Sequence, residues 1–402
     1  MVFNDATEYD ETRRANQGSG QSVLMSTHDE LNQILSRHRD WLHSKEAIGK
    51  RADLSGAVLD NRDLSGLNLS GAILRGASLR QANMVGTQLV HADLSDATLE
   101  GAILRESNLL LADFTGADLR NADLSNATPG TGNKLGAARQ GPRFKDADLR
   151  GANLTGCYCH ASDFTGAFLD GARFPSADLE QANLSGNCLD NLDLGDANLK
   201  YADLRGSRLR GANLKGADLD HADVSCALLS NADVSGASLK STNFNDAEVD
   251  GIKYDRKAHY RGIRVASCHG SARFRRSAQD QDFIEEYKEA HRLNYYLWLW
   301  VTDCGRSMTR VVLWSMGISL VFGIIYYCLG EEAFTYSPNE TLPWSLYRAV
   351  CFSILTCTTL GYGDMAPKTP LASGLVTLES IIGYVMLGML ISILATKLAR
   401  RS

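Results

Sequence analysis

From Arg51 to Val249 the hydrophobic pattern has a period of five: Ala52-Asp-Leu54, Ala92-Asp-Leu94, Ala117-Asp-Leu119, Ala152-Asn-Leu154 and Ala217-Asp-Leu219 are typical. A helical period cannot keep a leucine every fifth residue on one stripe. A square coil with one pentapeptide per side can. Each side turns Ala and Leu inward, and coils stack about 4.8 Å apart through ladder hydrogen bonds, giving about nine coils on the order of 45 Å long. The register is interrupted once, at 128–141, where Pro129, Lys134 and Arg139 would fall on core positions and cannot line a dry interior. That stretch is expected to be a looped-out insertion, rich in turn residues, with phase kept across it. Ahead of the repeats, residues 1–26 are polar and expected to form a disordered tail. Leu31, Ile34, Leu35, Trp41 and Leu42 then recur at helical spacing after Thr27, a capping residue type. They predict a helix within 27–50 that covers the open end of the coil, leaving 51–252 as the coil itself.

Beyond the repeats, 253–305 reads as a basic linker followed by an interfacial helix. Arg256, Lys257, Arg261, Arg264, Arg273, Arg275 and Arg276 make the linker basic, which suits a cytosolic face toward anionic lipid better than nucleic acid. Asp282 to Trp300 turns from charged to aromatic, with Trp298 and Trp300 suited to a membrane interface. The rest, 306–402, carries two apolar runs. The first, within 308–329, would span about 28 Å over its nineteen residues from Val311 to Leu329. The second, 371–398, is long enough to cross at a tilt. Between them 344–356 reads as a re-entrant helix after Pro343, too short to span, with its C-terminal dipole end favouring a cation.

That short helix leads into Thr358-Thr-Leu-Gly-Tyr-Gly-Asp364, which resembles the selectivity filter of potassium channels. A dehydrated potassium ion needs oxygens on all sides, and backbone supplies them only if successive carbonyls point the same way. Gly361 and Gly363 reach the positive-φ positions such a backbone requires. The ion would be held by the carbonyls of Thr359, Leu360, Gly361 and Tyr362, with the Thr359 hydroxyl below and Thr358 and Asp364 in support. Helix, pore helix, filter, helix is the plan of the two-transmembrane potassium channels, and the resemblance implies a homotetramer with potassium ions as the only cofactor. Leu360 replaces the family's usual Val or Ile. Cys351, Phe352 and Leu355 stand where many relatives place a tryptophan pair and a filter-backing glutamate. Gly383, twenty residues after Gly363, matches the family's gating-hinge glycine, with close helix packing as the equal alternative. Gly388 is a second hinge candidate, and Ile391, Leu394 and Leu398 would crowd the cytosolic mouth. Glu379, ionisable inside an apolar helix, is expected to bond Ser353 or Tyr347, in a functional or purely structural role.

The front half resembles the pentapeptide-repeat family, which implies a right-handed quadrilateral β-helix. The expected fold is thus multidomain: that solenoid, then an all-α two-helix membrane pore domain with its re-entrant pore helix and filter. Some pentapeptide-repeat proteins mimic DNA and inhibit topoisomerases, a rival function that the pore segment argues against. The other rival is a non-selective cation channel. No nucleophile–base pair or phosphate loop points to an enzyme, and no nucleic-acid partner is expected.

Composition adds little. The formal net charge of −6 is divided unevenly along the chain, and nine scattered cysteines fit a reducing compartment. Cys157-Tyr-Cys159-His160 has metal-ligand residue types, but Cys159 occupies an inward Leu position, so core filling is expected. No signal-peptide pattern opens the sequence. Arg306, Arg310, Lys397, Arg400 and Arg401 flank the spans on one side and Glu331 and Glu332 on the other, which predicts a multi-pass protein of the plasma or inner membrane with both termini cytoplasmic. With the chain stopping at Ser402, intracellular control is expected to reach the gate through 280–310.

Overall fold

The computed structural model describes residues 28–45, 47–128, 140–336, 343–358 and 365–399. The chain divides into two compact units between Phe283 and Ile284. The first is a four-sided coil with one anatomy repeated on every side. Parallel bridges join residues twenty apart, such as Asp53 to Ile73 and Val58 to Ser78. Leu54 N–H donates to the Ile73 carbonyl at 2.7 Å, and Ile73 N–H donates to the Ala52 carbonyl at 2.9 Å. At each corner the chain turns, as where Ala57 N–H donates to the Leu54 carbonyl at 3.1 Å. Corner residues adopt the left-handed region, with φ of 64° at Gly56 and 57° at Asn61. Glycine takes this conformation without penalty and asparagine tolerates it, which explains why these types recur there.

Inside, Ala and Leu from all four sides form a continuous dry core. Phe114, Phe144 and Phe164 stack on successive coils at centroid distances of 5.4 and 5.0 Å. Outside, the aspartates organise the turns: Asp53 Oδ1 accepts from Ser55 N–H at 3.1 Å and from its hydroxyl at 2.6 Å. Amide side chains link coils, as where Asn83 Nδ2 donates to Asp63 Oδ1 at 3.0 Å.

At the insertion the bridges join Asp113 to Arg143 and Asp123 to Asn153, thirty residues apart instead of twenty. The loop is shorter than the 128–141 expected, because the ladder already holds its end. Leu111 N–H donates to the Gln140 carbonyl at 3.2 Å, and Gly141 N–H to the His160 carbonyl at 2.6 Å. Pro129, Lys134 and Arg139 lie outside the described residues, as does the expected tail 1–26.

The coil does not stop at 252 either. Lys253, His259, Arg264 and His269 bridge to Asp233, Ser238, Asn243 and Glu248, so a further coil occupies part of the expected linker. The separation grows from twenty to twenty-one residues between the first two pairs, which breaks the five-residue period. The core positions pass to Ala258, Tyr260, Ile263, Val265 and Cys268, and the Tyr260 hydroxyl braces the corner by donating to the Asp255 carbonyl at 2.9 Å.

Both ends of the coil are lidded. Helix α1 (His28–His43) places Leu31 in the core with Ile34 and Leu35 against it. Its His38 Nδ1 accepts the otherwise orphaned N–H of Ala52 at 3.1 Å. At the far end α2 (Ala272–Ala290) inserts Phe274 and Ala278, with Phe274 5.3 Å from Tyr254 and 5.7 Å from Phe244.

The second unit begins with the end of α2 and continues into α3 (Arg292–Thr302). The single helix expected over Asp282–Trp300 is therefore two, bent at His291, and the bend brings the Tyr287 and Trp298 rings within 5.5 Å edge to face. Asp303, Cys304 and Gly305, all at positive φ, then reverse the chain into α4 (Met308–Leu329). A short pair of strands, β1 (Phe334–Tyr336) and β2 (Met365–Pro367), runs antiparallel. Between them lies α5 (Leu346–Cys357), and after them α6 (Pro370–Ala399). α5 starts two residues later than expected, because the Ser345 hydroxyl accepts from Arg348 N–H at 3.3 Å and caps it there. α4 and α6 are long and apolar enough to cross a membrane, with mean hydropathies of 1.9 and 2.0.

Candidate pore site

Glycine decides how the short helix is seated. A Cβ at Gly323 of α4 would lie 2.7 Å from Val350 Cα of α5, so only glycine permits that approach. On the other side a Cβ at Gly383 of α6 would collide with the backbone of Cys357, at the C-terminal end of α5. Of the two roles weighed for Gly383, this geometry accounts for the glycine by packing. Gly388, five residues on, faces open space.

A polar node ties the three helices together. Glu379 of α6 is fully buried, with 0% exposure. One of its carboxylate oxygens accepts from the Tyr326 hydroxyl of α4 at 2.6 Å, and the other is hydrogen-bonded to the Ser353 hydroxyl of α5. Ser353 also lies 2.7 Å from the Ser319 carbonyl of α4. Tyr347, the other expected partner, is 79% exposed and plays no part. Tyr326 was not singled out from sequence. Its signal was a tyrosine inside an apolar helix, where a hydroxyl demands a partner. Around the node Phe322, Phe334, Trp344 and Phe352 pack on the Tyr326 ring or on one another at 5.6–6.0 Å.

α5 ends at Thr358, whose hydroxyl turns back to donate to the Ile354 carbonyl at 2.7 Å. Thr359, Leu360, Gly361, Tyr362, Gly363 and Asp364 lie outside the described residues; the chain re-enters them at Met365 in β2. Ile391, Leu394 and Leu398 are exposed on the last turns of α6. Trp298, Thr302 and Gly305 on one side and Gly388, Ser392 and Thr396 on the other line a cleft of about 470 Å³, which brings the α3 end of the unit against the lower part of α6. That neighbourhood could not be read from spacing, since it depends on the reversal at 303–305.

On the coil, Cys157 and Cys159 point inward and are buried, and the hydrogen bond that the Cys159 thiol donates to Cys157 Sγ, together with burial, pushes that thiol well up, away from the thiolate a metal needs. His160 faces outward with Asp178 and Glu180, their ligand atoms within 4.8 Å of one another; Asn198 Nδ2 already occupies both acids at 3.0 and 3.2 Å.

Comparison with known proteins agrees with this division. Pentapeptide repeats, in eight copies, match 52–89, 92–128, 143–181, 177–216 and 217–252. The ion-channel family matches 316–400. The inward rectifier potassium channel Kirbac3.1 of Paramagnetospirillum magnetotacticum is 32% identical over 106 residues, which make 25% of this chain and only 36% of that protein. Among solved structures, HetL, a pentapeptide repeat protein involved in heterocyst differentiation regulation from Nostoc sp. strain PCC 7120, is 29% identical over 58% of this chain and 94% of its own, with a TM-score of 0.23. QnrB1, a plasmid-mediated fluoroquinolone resistance protein, is 19% identical over 51% and 90%, with a TM-score of 0.29. Neither family is enzymatic. The chain carries pentapeptide repeats folded as a β-helix in its N-terminal region and, at its C-terminus, an ion-channel domain of the two-transmembrane potassium-channel type.

Proposed function

We propose that four copies of this chain surround one axis as a potassium-selective channel, with the β-helix on the cytosolic side in a structural or regulatory role. The observation that carries the reading is the seat of α5. An apolar helix too short to span is held between two spanning helices by Gly323, Gly383 and the Glu379 node, and it ends at Thr358, directly before Thr359-Leu-Gly-Tyr-Gly363. Its C-terminal carbonyls carry the negative end of the helix dipole, which favours a cation there. One chain supplies one strand of carbonyls, so a cage of potassium ligands from Thr359, Leu360, Gly361 and Tyr362 needs the other three. Arg306, Arg310 and Lys397 against Glu331 and Glu332 support cytosolic termini. Ile391, Leu394 and Leu398 form the gate in this reading, closing the mouth by apolar crowding. Gly388 is the bending point, and Gly383 a packing contact.

Reversal potentials of the purified protein in bilayers with mixed potassium and sodium test this. They should follow the potassium gradient, and barium should block. Gly363→Ala should abolish selective current while leaving the tetramer assembled. Equal permeability to both ions would replace the selective channel by a non-selective cation channel.

A further inference from the structure

The outermost coil reverses the charge of the ones before it. Its four outward bridge positions are Lys253, His259, Arg264 and His269, all exposed, where the preceding coil has Asp233, Ser238, Asn243 and Glu248. Arg256 and Lys257 at its corner and Arg273 and Arg276 at the start of α2 are exposed beside them. Residues 253–276 hold eight lysines and arginines against one aspartate, in a chain whose net charge is −6. That one acid is committed: Asp255 Oδ1 accepts the N–H groups of Gly236, Lys257 and Ala258 at 2.9, 3.0 and 3.1 Å. Asp282 likewise accepts Gly262 N–H at 2.7 Å. Because the coil is folded and lidded, the basic residues stand on a rigid rim instead of a loose linker. This rim is also the last of the repeats before the spans, thirty-nine positions ahead of Met308.

We infer that this rim is a docking surface for the anionic leaflet of the membrane that holds the pore domain. The inference rests on the channel reading above. Each lysine or arginine near an anionic bilayer strengthens attachment about five-fold, and the attraction falls off within a Debye length of about 8 Å at physiological salt. Lys253, Lys257, Arg264, Arg273 and Arg276, all exposed, are enough to hold the coil end against the bilayer.

The test uses the full-length chain in nanodiscs of phosphatidylcholine alone or with an equal part of phosphatidylglycerol. Acylation of Lys253 and Lys257 is followed by mass spectrometry, with Lys200, Lys215 and Lys240 on earlier coils as internal standards. Labelling of Lys253 and Lys257 should slow several-fold in the anionic discs alone, and salt near 1 M should restore it. Arg264→Glu with Arg276→Glu, both exposed, should weaken the protection at Lys253. Equal labelling in both discs overturns the inference while leaving the channel reading intact. Protection by duplex DNA in neutral discs, without protection by phosphatidylglycerol, overturns it in favour of nucleic acid. Failure of the chain to enter discs overturns it together with the membrane reading.

Discussion

Glu379 is buried among apolar helices, yet both its oxygens have partners. A buried polar network of this kind is costly when broken and close to neutral when every member is satisfied. Glu379→Gln keeps hydrogen-bonding capacity and should leave the protein within about 1 kcal/mol of the parent. Glu379→Ala removes the acceptor of the buried Tyr326 hydroxyl and opens a cavity, and should cost about 2–4 kcal/mol. Thermal unfolding in detergent separates the two, and equal melting of both variants would remove the node from the account of stability. The two glycines of α6 also part at this scale. Gly383→Ala has no room beside Cys357 and should displace α5, seen as lost potassium selectivity or assembly. Gly388→Ala meets nothing and gains about 1 kcal/mol of helix propensity. If opening bends α6 there, open probability should fall about five-fold in a stably folded variant; unchanged single-channel opening would rule the bend out.

At the scale of elements, the hold of α1 depends on protonation. Burial, with the Arg51 cation beside it, holds His38 below the usual histidine value of 6.5. Its Nδ1 must stay unprotonated to accept Ala52 N–H, and its Nε2 is buried with no partner among the described residues. The folded state keeps His38 neutral while the unfolded chain takes up a proton below 6.5. The contribution is therefore complete above that value and is lost as pH falls beneath it. Acid should loosen the lid first. Asp203, held low chiefly by its Arg205 hydrogen bonds, follows only below the ordinary carboxylate value of 3.8. His38→Phe leaves Ala52 N–H unpaired at a cost of about 1–3 kcal/mol. Denaturant unfolding at pH 7.5 and pH 5.0 should show that the variant loses less stability between the two than the parent does. Equal losses would exclude His38 as the acid-sensitive group.

For the molecule as a whole, the boundary between Phe283 and Ile284 separates two units with their own cores, one of coil residues and one around Tyr326 and Val311. The residues read as the candidate pore all follow Ile284 in the sequence. A chain beginning at Ile284 should still form tetramers in detergent and pass potassium in liposome flux measurements, with an altered open probability. Monomers from that truncation would mean that the repeats organise the assembly.

Much of this architecture is legible in one dimension because its signals are local. The five-residue repeat is its own fold instruction, since each pentapeptide contacts only the coils above and below it. The two spans follow from length and apolarity. What the period could not carry was lost where the period was: one extra residue near Asp255 and a change from Ala and Leu to Tyr260, Ile263 and Val265 concealed the last coil, and with it the basic rim. Tertiary structure alone paired Glu379 with Tyr326, fifty-three residues apart, and set Gly383 against the end of α5. Helix crossings are chosen by packing among side chains distant in sequence, so no spacing along the chain encodes them.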